Sequence, residues 1–96
     1  MKTFDEIRGI LATHKKAYAE KYKVKNLGIF GSYSRGKESK SSDVDILVEF
    51  SEPIGLEFVD FAEELEALLG MKVDLVSKGA VKPRLLEYVE KDLVYV

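Results

Sequence analysis

The chain has 96 residues, of which 46% are hydrophobic and 33% charged, with a formal net charge of -2 and no cysteine. This length predicts a single small domain spanning residues 1–96, and the ordinary globular composition excludes fibrous and disordered classes. Without cysteine there can be no disulfide, thiolate zinc site or cysteine nucleophile, and the acidic balance gives no reason to expect direct nucleic-acid binding.

The chain starts with a predicted helix and carries no recognisable targeting signal. Thr3 and Glu6 have the spacing of a capping box, and apolar residues then recur at helical intervals, which predicts an amphipathic helix over residues ~3 to 22. Residues 1–6 contain no apolar run suited to a signal peptide, and no stretch approaches the roughly 20 apolar residues of a membrane span. We therefore expect an unprocessed cytoplasmic protein with no membrane partner.

A strand and a small-residue turn come next. Residues 27–30 (LGIF) predict a strand that runs into Gly31 and Ser32, with residues 33–36 as a candidate short helix. At such a turn, backbone N–H groups and a hydroxyl can bind phosphate oxygens, and glycine permits close approach. Arg35 lies about one helical turn beyond Ser32, so its guanidinium could approach a triphosphate. On its own, a Gly-Ser pair after a strand is more often only a turn.

The following strand presents two carboxylates on one face. Residues 37–42 (KESKSS) are polar and predict a surface loop, whereas the alternation over residues 43–50 indicates a strand. Asp43 and Asp45 then point to the same side, about 6 to 7 Å apart along the strand. The intervening apolar residues point to the other side, towards the core. Acidic residues on a half-exposed strand are usually solvated and inert. The pair indicates a functional site only in combination with the turn that precedes it.

The second half of the sequence predicts two more helices and two more strands. A helix introduced by Ser51 and Pro53 ends at Gly70, a strand covers residues 71–76, a helix starts at Pro83, and a short strand covers residues 93–96. The whole order predicts an α+β (α/β) fold in which a sheet is covered by helices.

A third carboxylate lies in the predicted strand 71–76. Asp74 stands alone there among apolar neighbours, so it joins Asp43 and Asp45 if the two strands pair. Three such carboxylates would repel one another and lose hydration, which costs several kcal/mol per ion unless a cation is present. All-oxygen ligands suit Mg²⁺, which commonly combines carboxylates with substrate phosphates. A phosphate-binding turn and carboxylates on the next strand are the two halves of a metal–nucleotide site.

Two segments of the sequence resemble a known signature. Residues 31–36 (GSYSRG), followed by residues 42–48 (SDVDILV), resemble the polymerase-β-like nucleotidyltransferase superfamily, and within it the minimal nucleotidyltransferase group. The resemblance covers essentially the whole chain, and Ser34 stands where alanine is commoner. It implies a small mixed β-sheet flanked by helices. It also leaves open whether the ring of Tyr33, inside the motif, borders the nucleotide.

The resemblance implies roles for the candidate residues. Asp43 and Asp45 would bind two Mg²⁺ ions, and Asp74 would complete the metal site and act as the base. Gly31 and Ser32 would hold the β- and γ-phosphates of ATP. Arg35 would help to neutralise them.

The resemblance also implies an activity and a partner. Members of the group are similar in serving as antitoxins of all-helical HEPN-domain ribonuclease toxins, and some add AMP to the toxin. We therefore expect transfer of AMP from ATP to a HEPN toxin in a type VII-like toxin–antitoxin module, within a hetero-oligomer. Two alternatives stay open: an antitoxin that acts by binding alone, and the catalytic subunit of a two-chain small-molecule nucleotidyltransferase. The set of three carboxylates favours catalysis over simple blocking.

Overall fold

Three α-helices and four β-strands form the part of the protein that the computed structural model describes, residues 2–37 and 43–96. In chain order they are α1 (Phe4–Tyr22), β1 (Val24–Phe30), β2 (Val44–Phe50), α2 (Glu57–Leu69), β3 (Val73–Ser77), α3 (Pro83–Glu90) and β4 (Val94–Tyr95), with a 3₁₀ turn at Lys78–Ala80. The strands form one mixed sheet in the order β3-β2-β1-β4. Strand β2 is antiparallel to β1 and parallel to β3. The predicted α+β architecture is confirmed.

Helix α1 has the predicted boundaries because both of its ends are capped. The backbone N–H of Glu6 donates to the Thr3 hydroxyl at 3.2 Å, and the Glu6 carboxylate accepts from the Thr3 backbone N–H at 3.1 Å. This reciprocal pair is the predicted capping box. The helix ends at Tyr22 because Lys23 adopts a left-handed conformation, with φ of 62°.

The hydrophobic core lies between one face of the sheet and helices α1 and α2. Alternate residues of β2 point into it, as their spacing predicted. The fully buried side chains that β2 and α2 contribute to this core are Val44, Ile46, Val48, Phe61, Leu65 and Leu69. The odd-numbered residues of β2, including Asp45, are therefore on the opposite face of the sheet.

The chain between β1 and β2 makes a turn where a short helix had been a candidate. Its backbone hydrogen bonds have mixed spacing: Arg35 N–H donates to Gly31 O at 3.1 Å, and Lys37 N–H donates to Ser32 O at 2.8 Å. Glycines with positive φ, Gly31 at 75° and Gly36 at 71°, stand at its two ends and interrupt helical geometry. Of the predicted loop 37–42, only Lys37 is described, and it is exposed; residues 38–42 lie outside the described residues.

The second half of the chain agrees with the predicted elements, with small shifts of their ends. Helix α2 starts at Glu57 and closes at Gly70, whose φ of 67° is left-handed as predicted for a C-terminal cap. Helix α3 starts at Pro83 as predicted, and β4 is an edge strand. None of the helices in the described ranges has the length and apolarity required to cross a membrane.

Candidate active site

Sheet topology brings the candidate residues to one end of the sheet. Because β1 and β2 are antiparallel, the end of β1 lies beside the start of β2, and Phe30 is the register partner of Asp45. Asp45 and Asp74 are each the second residue of their strand. Because β2 and β3 are parallel, the starts of the two strands lie at the same end of the sheet, and Asp45 is the register partner of Asp74. The turn that begins at Gly31 therefore adjoins two carboxylates from neighbouring strands.

The Asp45 carboxyl group occupies the centre of this arrangement. Its pKa is raised from 3.8 to about 6, mainly because burial removes water from it. The negative charge of Asp74 and a hydrogen bond between the two carboxyl groups raise the pKa further, and Asp43 adds a smaller contribution. The positive charge of Arg35 lowers the pKa of Asp45. Asp45 thus binds a proton at pH values where an isolated aspartate is ionised.

Gly31 is required by the close approach of the Asp45 side chain. A Cβ atom at this position would overlap the carboxylate and lie 3.0 Å from its Cγ. The φ of 75° at Gly31 is also one that other residues rarely adopt. The absence of a side chain lets the carboxylate pack directly against the backbone of the 31–36 turn.

Asp43 lies at the edge of the site. It directly precedes β2, its side chain is exposed, and it is close enough to Asp45 to affect the pKa of that group. Within residues 2–37 and 43–96, no three side chains of His, Cys, Asp or Glu are grouped closely enough to hold a metal ion. The structure thus pairs Asp45 with Asp74 and leaves Asp43 within electrostatic range of the pair.

The 31–36 turn is attached to the far end of the chain through Asp92. Arg35 Nη1 donates to Asp92 Oδ2 at 2.8 Å, and the Ser34 hydroxyl donates to the backbone carbonyl of Asp92. The Asp92 carboxylate raises the pKa of the Arg35 guanidinium, and the negative charge of Asp45 raises it further. Asp92 was not among the residues predicted from the sequence, because no local pattern marks a residue whose partner is 57 positions away.

The two other motif residues have different environments. Ser32 is half-buried, and its carbonyl accepts from the Lys37 backbone. The ring of Tyr33 is only 1% exposed and belongs to the hydrophobic core. Tyr33 therefore anchors the 31–36 turn by packing inside the protein, and its ring does not border an open nucleotide site.

A cavity of about 870 Å³ opens at the opposite ends of β2 and β3. Among its lining residues are Glu49, Phe58, Lys78 and Leu86. Glu49 follows Asp45 by four residues, and Lys78 follows Asp74 by four residues. Each therefore lies about 13 Å further along the strand direction than the aspartate. This cavity is therefore separate from the paired carboxylates.

The chain is similar to known proteins in family, sequence and fold. A family model described as nucleotidyltransferase domain matches residues 11–96. The chain is 54% identical to a proposed protein adenylyltransferase of Methanocaldococcus jannaschii, with both proteins covered completely. It is 48% identical to the protein adenylyltransferase MntA of Thermococcus cleftensis, covering 100% of this chain and 98% of that protein.

Two solved structures show the same fold. A proposed minimal nucleotidyltransferase aligns with a TM-score of 0.82 at 30% identity, covering 97% of this chain and 95% of the other. A chain of the complex between a tri-AMPylated Shewanella oneidensis HEPN toxin and an MNT antitoxin aligns with a TM-score of 0.73 at 20% identity. That alignment covers 97% of this chain and 71% of the other, and it concerns the fold alone.

Proposed function

Because the chain belongs to the nucleotidyltransferase domain family, we propose that it transfers AMP from ATP to a protein acceptor, a HEPN-domain toxin, in a Mg²⁺-dependent reaction. The relatives named protein adenylyltransferases support the transferred group. The similar fold found in complex with an AMPylated HEPN toxin supports the partner. In this proposal the protein is the antitoxin of a hetero-oligomeric toxin–antitoxin pair.

The observation that carries the proposal is the pairing of Asp45 with Asp74 beside Gly31. A protein that only blocked its partner would gain nothing from a half-buried Asp45 carboxylate held beside the Asp74 carboxylate, because their repulsion destabilises the fold. A carboxyl group perturbed as Asp45 is typical of functional sites. Their position next to a backbone turn that can bind phosphates favours chemistry on a nucleoside triphosphate.

The carboxylates also have the chemistry of a magnesium site. They supply hard oxygen ligands, and the proton that Asp45 takes up near pH 6 marks a place where positive charge is stabilising. In the proposal Asp43, Asp45 and Asp74 would hold two ions when substrate is bound. The bound metal would lower the pKa of the attacking hydroxyl group and stabilise charge on the α-phosphate and the departing pyrophosphate.

The other steps belong to residues of this chain. The backbone N–H groups of the turn and the Ser32 hydroxyl would hold the β- and γ-phosphates, because Gly31 permits close approach. Asp74 is exposed and would accept the proton of the acceptor hydroxyl. The acceptor oxygen then bonds to the α-phosphorus, the bond from that phosphorus to the bridging oxygen breaks, and pyrophosphate leaves. Arg35 would balance part of the phosphate charge.

Intact-mass spectrometry tests the proposal directly. The purified protein and its HEPN partner are incubated with Mg²⁺ and ATP, and both chains are weighed. We expect the partner to gain one or more AMP units with the wild-type protein and none with Asp45→Asn. The matched control is Asp60→Asn, which makes the same change at an exposed position of α2 and should leave transfer intact.

Two outcomes would contradict the proposal. If a stable complex forms but none of the four nucleoside triphosphates adds mass to the partner, the protein acts by binding alone. If a small molecule is modified in place of the partner, the acceptor assignment is wrong while the nucleotidyltransferase chemistry stands.

A further inference from the structure

Asp92, a residue outside the predicted site, contacts the 31–36 turn and binds Arg35, which is proposed to face the triphosphate. Asp92 follows α3 and precedes β4, and it contacts two consecutive residues of the 31–36 turn. Its carboxylate binds Arg35 and its backbone carbonyl binds Ser34. The segment that contains Asp92 is itself fixed, because β4 pairs with β1 and places Val94 opposite Ile29.

We propose that Asp92 is a positioning residue for nucleotide binding: by holding Arg35 through its carboxylate, it fixes the direction in which the guanidinium faces the triphosphate. This inference rests on the proposed function. Asp92 is not expected to touch the substrate itself. Its effect would pass through Arg35.

The geometry of the ion pair between Arg35 and Asp92 supports this positioning role. A guanidinium group has N–H donors on three nitrogens in a rigid plane, so binding Asp92 through Nη1 fixes the orientation of the remaining donors. An arginine side chain without such a partner loses conformational entropy when a ligand immobilises it. The Arg35 side chain is 39% exposed and that of Asp92 27%. The guanidinium therefore remains accessible to a ligand while its partner carboxylate is the more buried of the two.

The negative charge of Asp92 would also repel a triphosphate, an effect that opposes nucleotide binding. Repulsion between partly exposed charges that are not in contact is weakened by water and salt. Direct hydrogen bonds from Arg35 to phosphate oxygens depend strongly on orientation. We therefore expect the loss of positioning to outweigh the relief of repulsion.

The test measures the dissociation constant of MgATP by titration calorimetry for the wild-type protein and three variants. Asp92→Asn removes the carboxylate charge but keeps the backbone carbonyl that binds Ser34. Arg35→Ala and the double variant complete a thermodynamic cycle. The control is Glu64→Gln, which removes a comparable exposed ion pair with Lys21, at 3.2 Å, between α1 and α2.

We expect Asp92→Asn to raise the dissociation constant about tenfold, a difference of 1.4 kcal/mol in binding free energy. It should have no further effect once Arg35 is alanine, and Glu64→Gln should bind as the wild type does. Unchanged or tighter binding by Asp92→Asn would overturn the inference, as would an equal weakening in the presence and absence of the Arg35 guanidinium. If the wild-type protein binds no nucleoside triphosphate, the proposed function fails and this inference fails with it.

Discussion

At the scale of single residues, the Asp45 carboxyl group links stability to pH. Its pKa in the folded protein, about 6, is above the ordinary value of 3.8, so the folded state binds more protons than the unfolded state between these pH values. The free energy of unfolding therefore falls as pH rises from about 4 to about 6, and the cost of ionising Asp45 is fully present above that range. A protein selected for stability alone would not retain this group.

We predict that Asp45→Asn stabilises the metal-free protein at pH 7.5. A shift of about two pKa units corresponds to nearly 3 kcal/mol, but solvent screening at a partly exposed group reduces this to about 1 kcal/mol. In a chain of this size such a gain raises the thermal midpoint by about 4 to 8 °C. Thermal unfolding in EDTA measures it. The gain should disappear near pH 4, where wild-type Asp45 is protonated; a lower midpoint at pH 7.5 would contradict the burial and repulsion described for this group.

The same melting experiment separates a metal site from a simple acidic patch. Adding Mg²⁺ should raise the wild-type midpoint at pH 7.5, because a ligand that binds only the folded state stabilises it. The increase should be smaller at pH 5, where protons compete for Asp45, and it should be lost in Asp45→Asn. Equal responses of both proteins would place magnesium binding elsewhere.

At the scale of secondary-structure elements, the N-terminal end of α1 depends on an identifiable side chain. We predict that Thr3→Ala lowers the free energy of unfolding by about 1 kcal/mol, because it removes the acceptor for the Glu6 backbone N–H. Urea denaturation measures this change. The matched control is Thr13→Ala in the middle of the same helix, where alanine has the higher helix propensity and no cap is lost. A similar loss in both variants would show that the cap is not the cause.

Elements with strong local signals agreed with the structure, and the segment with a weak signal did not. Helix α1 has a capping box and periodic apolar residues, and β2 has apolar residues at every second position from Val44 to Phe50, so both were predictable from neighbours a few positions apart. Residues 33–36 lack such a signal. Their turn is shaped by Gly36 and by contacts with distant Asp92, which no local pattern contains.

At the scale of the whole molecule, one aromatic side chain joins the helices to the sheet. Phe61 is fully buried, and its ring lies 5.0 Å from those of Tyr18 and Tyr22 in α1 and 6.3 Å from that of Phe50 in β2. We predict that Phe61→Ala lowers the free energy of unfolding by about 3 to 5 kcal/mol, because it leaves a cavity among these rings. This is a large part of the total stability of a small domain.

Chemical denaturation followed by circular dichroism measures the Phe61 effect. Val59→Ala, two positions earlier in α2, is the matched control because that side chain is 54% exposed. It should change the free energy of unfolding by less than about 0.5 kcal/mol. Comparable losses in the two variants would mean that packing between α1 and α2 contributes little to stability.

The sequence by itself determined the types and order of the elements, the side of β2 that carries Asp45, and the family resemblance, because these depend on capping, periodicity and short motifs. Only the tertiary structure decided that Asp45 is paired with Asp74 and that Arg35 is held by Asp92. Each contact joins residues far apart in the chain, and it exists only after β2 and β3 align in parallel and β4 returns to β1. Strand order and register arise from the packing of the complete sheet, which local patterns do not specify.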